Sequence, residues 1–192
     1  MKVPLLDLKK QYGRIRSRVI PEIEKVLESQ LFILGRNVEE LEKEIAALCG
    51  VSRAIGVASG TDALLLALMA LDVRPGDRVI TTPFTFFATA GVISRLGALP
   101  VFIDIDPATY NLDLSKLEEY LRREGGRPDS PRVVIPVHLF GQMTDMEALR
   151  VLARDYGLRV VEDGAQALGA RQRVGSGSRG NQIGRASCRE RV

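Results

Sequence analysis

The sequence has 192 residues, of which 45% are hydrophobic and 27% charged, enough for one well-cored globular domain. Its formal charge of +3 resides at the C-terminal end: residues 171–192 carry six arginines and one glutamate, leaving 21 basic and 23 acidic groups over residues 1–170. A body so nearly neutral removes the support for a nucleic-acid-binding reading, and its longest apolar run, Ala63 to Leu71, is far short of the roughly 20 residues of a membrane helix.

In chain order, Leu8, Tyr12, Ile15, Val19, Ile23 and Val26 recur at helical spacing and predict a helix from Leu8 to about Ser29, kinked or restarted at Pro21. Gln30 to Gly35 is an apolar linker with neither period, which needs cover from another surface. Asn37 and Glu40 have the spacing of a capping box for a helix that carries Val38, Leu41, Ile45 and Leu48 and ends at Gly50.

From Arg53 the pattern alternates between strands and helices, the signature of a mainly parallel sheet with helices packed on it. Strands are expected over 54–58, 78–82, 100–105, 132–137 and 159–162. Helices are expected over 62–71, 85–96, 115–123 and 145–156. Arg171 to Asn181 is rich in Gly, Ser and Arg without periodicity and reads as disorder. The last stretch, Gln182 to Val192, resembles a translated sequencing adapter, and the chain is therefore expected to be a truncated product with an artefactual tail. Cys49 and Cys188 have neither metal spacing nor a disulfide framework, and Met1-Lys2-Val3-Pro4 opens without a signal peptide; both point to a cytoplasmic protein.

Four strand ends carry chemistry. Ser59-Gly60-Thr61-Asp62 passes from a strand through glycine into a helix, so the backbone N–H groups of Gly60 and Thr61 and the Thr61 hydroxyl could bind an anion, although Ser59 or Thr61 could equally be a plain N-cap. Thr82 to Ala90 holds three phenylalanines in four residues, Phe84, Phe86 and Phe87; one is read as stacking on a flat ligand and two as core. The run Arg159 to Ala167 ends on Glu162 and Asp163 and turns through Gly164 to Gln166. A rim carboxylate there could keep a pyridine nitrogen protonated, and Gln166 supplies a neutral donor. Pro136 to Gln142 carries the one histidine, His138, read as bonded to backbone rather than catalytic. An anion cup, a stacking ring and a rim aspartate, in that order on a βαβ frame, point to pyridoxal 5′-phosphate.

The sequence resembles the N-terminal part of the DegT/DnrJ-type (StrS-like) nucleotide-sugar aminotransferase family of fold-type I pyridoxal-phosphate enzymes. The matching stretches are Val3 to Leu8, Phe32 to Gly35, Ser59 to Leu64, Pro83 to Phe86, Pro136 to Gln142 and Glu162 to Ala167, together spanning about residues 3–170. The resemblance implies an incomplete large domain: a helical segment and linker over 1–36, the partial cofactor-binding domain over 37–170, and the tail over 171–192. It implies that Gly60 and Thr61 hold the phosphate, Phe86 stacks on the ring, Asp163 pairs with the pyridine nitrogen and Gln166 bonds near the ring hydroxyl. It also implies a homodimer with Phe32 to Gly35 near the interface, with amino-acid and nucleotide-sugar substrates. Where the family usually has alanine after the aspartate, this chain has Gly164. No lysine follows Lys116, so the family's Schiff-base lysine has no counterpart here and the fragment is expected to be inactive. Two alternatives stay open: a keto-sugar dehydratase of the same family, which uses histidine in place of that lysine, and a non-catalytic regulatory or binding protein on the same scaffold.

Overall fold

The computed structural model describes residues 7–124, 126–127, 129–173, 183–185 and 189–191. α1 (Leu8–Ser29) runs unbroken through Pro21, its first turn held by Asp7 accepting the Lys10 N–H, and α2 (Arg36–Cys49) follows the linker. α3 (Gly60–Ala70), β1 (Arg78–Thr81), α4 (Phe87–Arg95), β2 (Leu99–Phe102), α5 (Leu114–Glu124), β3 (Val133–Val134), α6 (Met146–Tyr156) and β4 (Arg159–Glu162) then alternate. Three short strands close the described chain: β5 (Arg171–Arg173), β6 (Ile183–Arg185) and β7 (Arg189–Arg191).

The sheet order is β2-β1-β3-β4-β7. The first four strands are parallel and β7 runs antiparallel beside β4. Side chains alternate across a strand with a period of two, and the register converts that period into two cores. Val79 lies beside Val133, and with Val161 both pack against Leu64, Leu68, Val92 and Ile93 of α3 and α4. Ile80 lies beside Val134, which lies beside Val160; these pack on the opposite face against Leu117, Leu121 and Leu149 of α5 and α6. The expected α/β class, a mainly parallel sheet with helices on both faces, is the observed one. Burial of each such aliphatic side chain stabilises by about 1.5–3 kcal/mol, and Ile80→Ala, at a fully buried position, is expected to cost about 2–5 kcal/mol.

Several expectations are corrected. Asn37 and Glu40 form no capping box: the helix begins at Arg36 with Gly35 as its N-cap, and Glu40 is engaged by Arg36 Nε at 2.6 Å. The preceding linker turns tightly, with Leu34 at φ 51° and a Cβ on Gly35 falling 2.8 Å from the Leu31 carbonyl. Residues 54–58 form no strand. Ile55 is 81% exposed there, and the segment is tied instead to α2 by the Gly56 N–H donating to Glu42 at 2.7 Å. A strand needs a neighbour, and the edge beyond β4 pairs with β7. The expected disorder from Arg171 fails at its start, because Arg171–Arg173 pairs with Ile183–Arg185; residues 174–181 lie outside the described residues, as do Val3 to Leu6. No helix among the described residues is long and apolar enough to cross a membrane.

Candidate functional site

The chain passes from β1 outward to β2, then returns across β1 to β3 and β4. The direction of winding thus reverses between β1 and β3, and in open α/β sheets ligands bind outside the carboxyl ends of the strands at such a reversal. A pocket of about 210 Å³ lies there, walled by Gly60, Thr61, Thr85, Phe86, His138, Asp163 and Gln166 among others. All five sequence-derived site residues line it. Larger hollows among the described residues, of about 840, 610, 430 and 280 Å³, gather no comparable set of groups from several strand ends, so chemistry rather than size identifies the site.

On one wall, α3 begins at the cup. Ser59 is its N-cap and accepts the Asp62 N–H at 3.1 Å while donating its own hydroxyl proton to Asp62 Oδ2 at 2.9 Å. The N–H groups of Gly60 and Thr61, first in the helix, have no intrahelical acceptor. A Cβ built on Gly60 meets nothing within 4 Å, so an anion can approach the backbone closely. Ser59 is thus the cap, which leaves Thr61 its hydroxyl for a ligand.

Opposite, none of the three phenylalanines is core, contrary to expectation for two of them. Phe84 is 44% exposed, Phe86 73% and Phe87 81%. They sit on the turn from β1 into α4, outside the sandwich, where Phe84 meets Tyr110 with ring centroids 5.8 Å apart. Of the three, Phe86 lines the pocket.

The floor comes from β3 and β4, whose ends are joined by a parallel bridge between Val137 and Asp163. Asp163 is 6% exposed; its Oδ2 accepts the Thr89 hydroxyl at 2.8 Å and its Oδ1 the Ala165 N–H at 3.3 Å. Gln166 is oriented by the turn after β3. Phe140 and Gly141 both take the left-handed conformation, with φ of 56° and 88°, and the Phe140 N–H donates to Gln166 Oε1 at 2.8 Å. That contact uses the acceptor of the amide and leaves its NH2 free to donate. His138 is fully buried; it accepts the Thr144 N–H at Nδ1, the bond to backbone that its reading expected, and faces Glu162 at Nε2, which was not expected.

Sequence reasoning missed Thr89, Thr85 and the pairing of Glu162 with His138. Thr85 and Thr89 are spaced i, i+4, one helical turn apart behind the phenylalanines, but two hydroxyls carry no signal until the fold brings Asp163 to them from 74 residues away. No group of His, Cys, Asp and Glu among the described residues could hold a metal ion.

A sequence profile of the DegT/DnrJ/EryC1/StrS aminotransferase family matches residues 14–187. The "Pleiotropic regulatory protein" of Geobacillus stearothermophilus is 48% identical over 171 residues, 89% of this chain and 44% of its own length. The UDP-N-acetyl-3-dehydro-alpha-D-glucosamine 3-aminotransferase of Acidithiobacillus ferrooxidans is 44% identical over 179 residues, 91% of this chain and 46% of its own. Among solved structures, DesV of S. venezuelae superposes with a TM-score of 0.83 at 42% identity, covering 92% of this chain and 47% of that one. A GDP-4-keto-6-deoxymannose-3-dehydratase superposes with a TM-score of 0.68 at 27% identity, covering 77% and 38%. The chain spans about half the length of the curated relatives it matches.

Proposed function

The chain belongs to the DegT/DnrJ/EryC1/StrS aminotransferase family, and from that premise we propose that the whole protein is a cytoplasmic, pyridoxal 5′-phosphate-dependent aminotransferase that moves an amino group from glutamate to a keto group of a nucleotide-linked sugar. The observation that carries this reading is the convergence of an open helix N-terminus, an exposed aromatic face and a buried carboxylate on one pocket at the sheet's reversal point.

The donor set fits the cofactor. The Gly60 and Thr61 N–H groups and the Thr61 hydroxyl bind the phosphate, whose charge the positive end of α3 favours. Phe86 covers one face of the ring and excludes water from it. Asp163 accepts the pyridine N–H and, held in a nearly closed wall, keeps that proton in place. Gln166, its carbonyl fixed by Phe140, donates its amide NH2 to the ring hydroxyl. The bound cofactor supplies an electron sink for a carbanion formed on the amino acid.

No lysine follows Lys116 in this chain. In this reading a base outside these 192 residues releases the cofactor and moves the proton between carbons, and transamination is expected of the whole protein rather than of this chain alone. Leu31, Phe32, Ile33 and Leu34, between 59% and 84% exposed, form the apolar surface that a second copy covers in a homodimer.

A keto-sugar dehydratase is the second reading, favoured by the likeness to a dehydratase structure. Sequencing the source gene past the codon for Ala170 and assaying the complete protein separates the two. A downstream lysine, with glutamate-dependent amination of a nucleotide-linked keto sugar, supports the aminotransferase; a histidine at that place with loss of a hydroxyl supports the dehydratase. A complete protein that binds no pyridoxal 5′-phosphate overturns both and favours a regulatory role.

A further inference from the structure

Asp163 is held by a chain of two hydroxyls that its assigned role does not require. Thr89 is fully buried in the first turn of α4, three residues beyond Phe86, so one helix start carries both the ring-facing aromatic and the group behind the carboxylate. The Thr89 Oγ1 lies 2.8 Å from Asp163 Oδ2 and 2.9 Å from Thr85 Oγ1. An ionised carboxylate only accepts, so the single Thr89 proton goes to Asp163, and Thr85 must donate to Thr89. The two hydroxyls thus point in one direction, each strengthening the next, and end on the carboxylate. Thr85 stands half-buried in the pocket wall, so the chain runs from the ligand's side of the site to its floor.

The two oxygens of Asp163 are consequently unequal. Oδ2 is committed to Thr89, whereas Oδ1 holds only the longer 3.3 Å bond from the Ala165 N–H and has acceptor capacity left for a donor in the pocket. We propose that Thr89, backed by Thr85, is a positioning residue that fixes the rotation of the Asp163 carboxylate so that one defined oxygen meets the ring N–H of the cofactor. This rests on the reading of Asp163 as the partner of the pyridine nitrogen.

The test compares binding of pyridoxamine 5′-phosphate with that of its 1-deaza analogue, which has carbon in place of the ring nitrogen, to the chain itself. The unsubstituted chain prefers the natural ring. Thr89→Val keeps the shape and removes the hydroxyl; it cuts that preference about tenfold, the worth of one hydrogen bond to a charged group, and leaves affinity for the analogue unchanged. Thr89→Ser restores the preference. Thr85→Val, at a half-buried position, lowers it in the same direction by a smaller factor and serves if Thr89→Val does not fold. A preference untouched by the loss of either hydroxyl overturns the proposal. If instead the unsubstituted chain shows no preference and Asp163→Asn changes nothing, the reading of Asp163 itself falls.

Discussion

His138 and Glu162 face one another 3.1 Å apart in the interior, the imidazole fully buried and the carboxylate 3% exposed. The Thr144 N–H donated to Nδ1 leaves that nitrogen without a proton, so Nε2 carries it and donates to Glu162. The adjoining residue, Asp163, gives its carbonyl to the His138 N–H at 3.0 Å. The pair therefore pins the ends of β3 and β4 together directly beneath the site.

Removing the imidazole leaves a buried carboxylate without its partner. His138→Ala is expected to destabilise the protein by about 3 kcal/mol, measured by urea denaturation, with the loss far smaller when Glu162→Gln is present as well. A single variant as stable as the parent would show that the pair contributes nothing.

Gly60 and Gly35 make opposite predictions for the same substitution. At Gly60 a Cβ meets nothing, so Gly60→Ala changes stability by no more than about 0.5 kcal/mol, yet it obstructs the backbone cup and weakens pyridoxamine 5′-phosphate binding about tenfold through the lost charge-assisted hydrogen bond. At Gly35 the Cβ would sit 2.8 Å from the Leu31 carbonyl, so Gly35→Ala costs about 1–3 kcal/mol through forced backbone movement. Thermal melts and binding isotherms on the two variants separate the cases.

Gln166→Ala releases the Phe140 N–H. Because that residue is in a left-handed conformation unfavourable to a side chain, the turn is expected to loosen, at a cost of about 1 kcal/mol. The measurement is amide hydrogen exchange, which should quicken at Phe140 and remain unchanged at Val134 in the sheet.

How much of this was legible depends on the range of the determining interaction. The ends of α1 and β4, the start of α6 next to Asp145 and the stop at Gly50 follow from neighbouring residues and are found where the spacing put them. Gly60, Thr61, Phe86, Asp163 and Gln166, named as a set through the family resemblance, line one pocket; strand-end chemistry by itself did not tell Phe86 from its two neighbours. Residues 54–58 have strand-like composition, but a strand requires a partner, and pairing is not written in the segment itself. Two of the three phenylalanines were misjudged as core, because composition cannot tell an aromatic aimed at a sheet from one standing on its rim. Thr89 became meaningful only once α4 met β4.

Glu124 gives the pH dependence. Burial pushes its carboxyl up, but Arg78, Arg127 and Arg123, with contacts of 3.4, 2.8 and 3.3 Å, outweigh that and hold it below the usual range. A carboxylate depressed in the folded state contributes stability above its unfolded value, and the contribution is lost as pH falls through the folded one. Glu124→Gln should therefore be less stable than the parent at neutral pH, with the gap closing on acidification. Denaturation midpoints across a pH series check this, and a constant gap would contradict it.

In the function proposed above, the pocket where β1, β3 and β4 end binds the cofactor through Asp163. Calorimetric titration of the chain with pyridoxamine 5′-phosphate, which needs no lysine, tests it most directly. Saturable one-to-one binding is expected, weakening at least tenfold in Asp163→Asn, the worth of a hydrogen bond between charged groups. Absence of binding by the folded chain, or equal binding by the Asn variant, would contradict it.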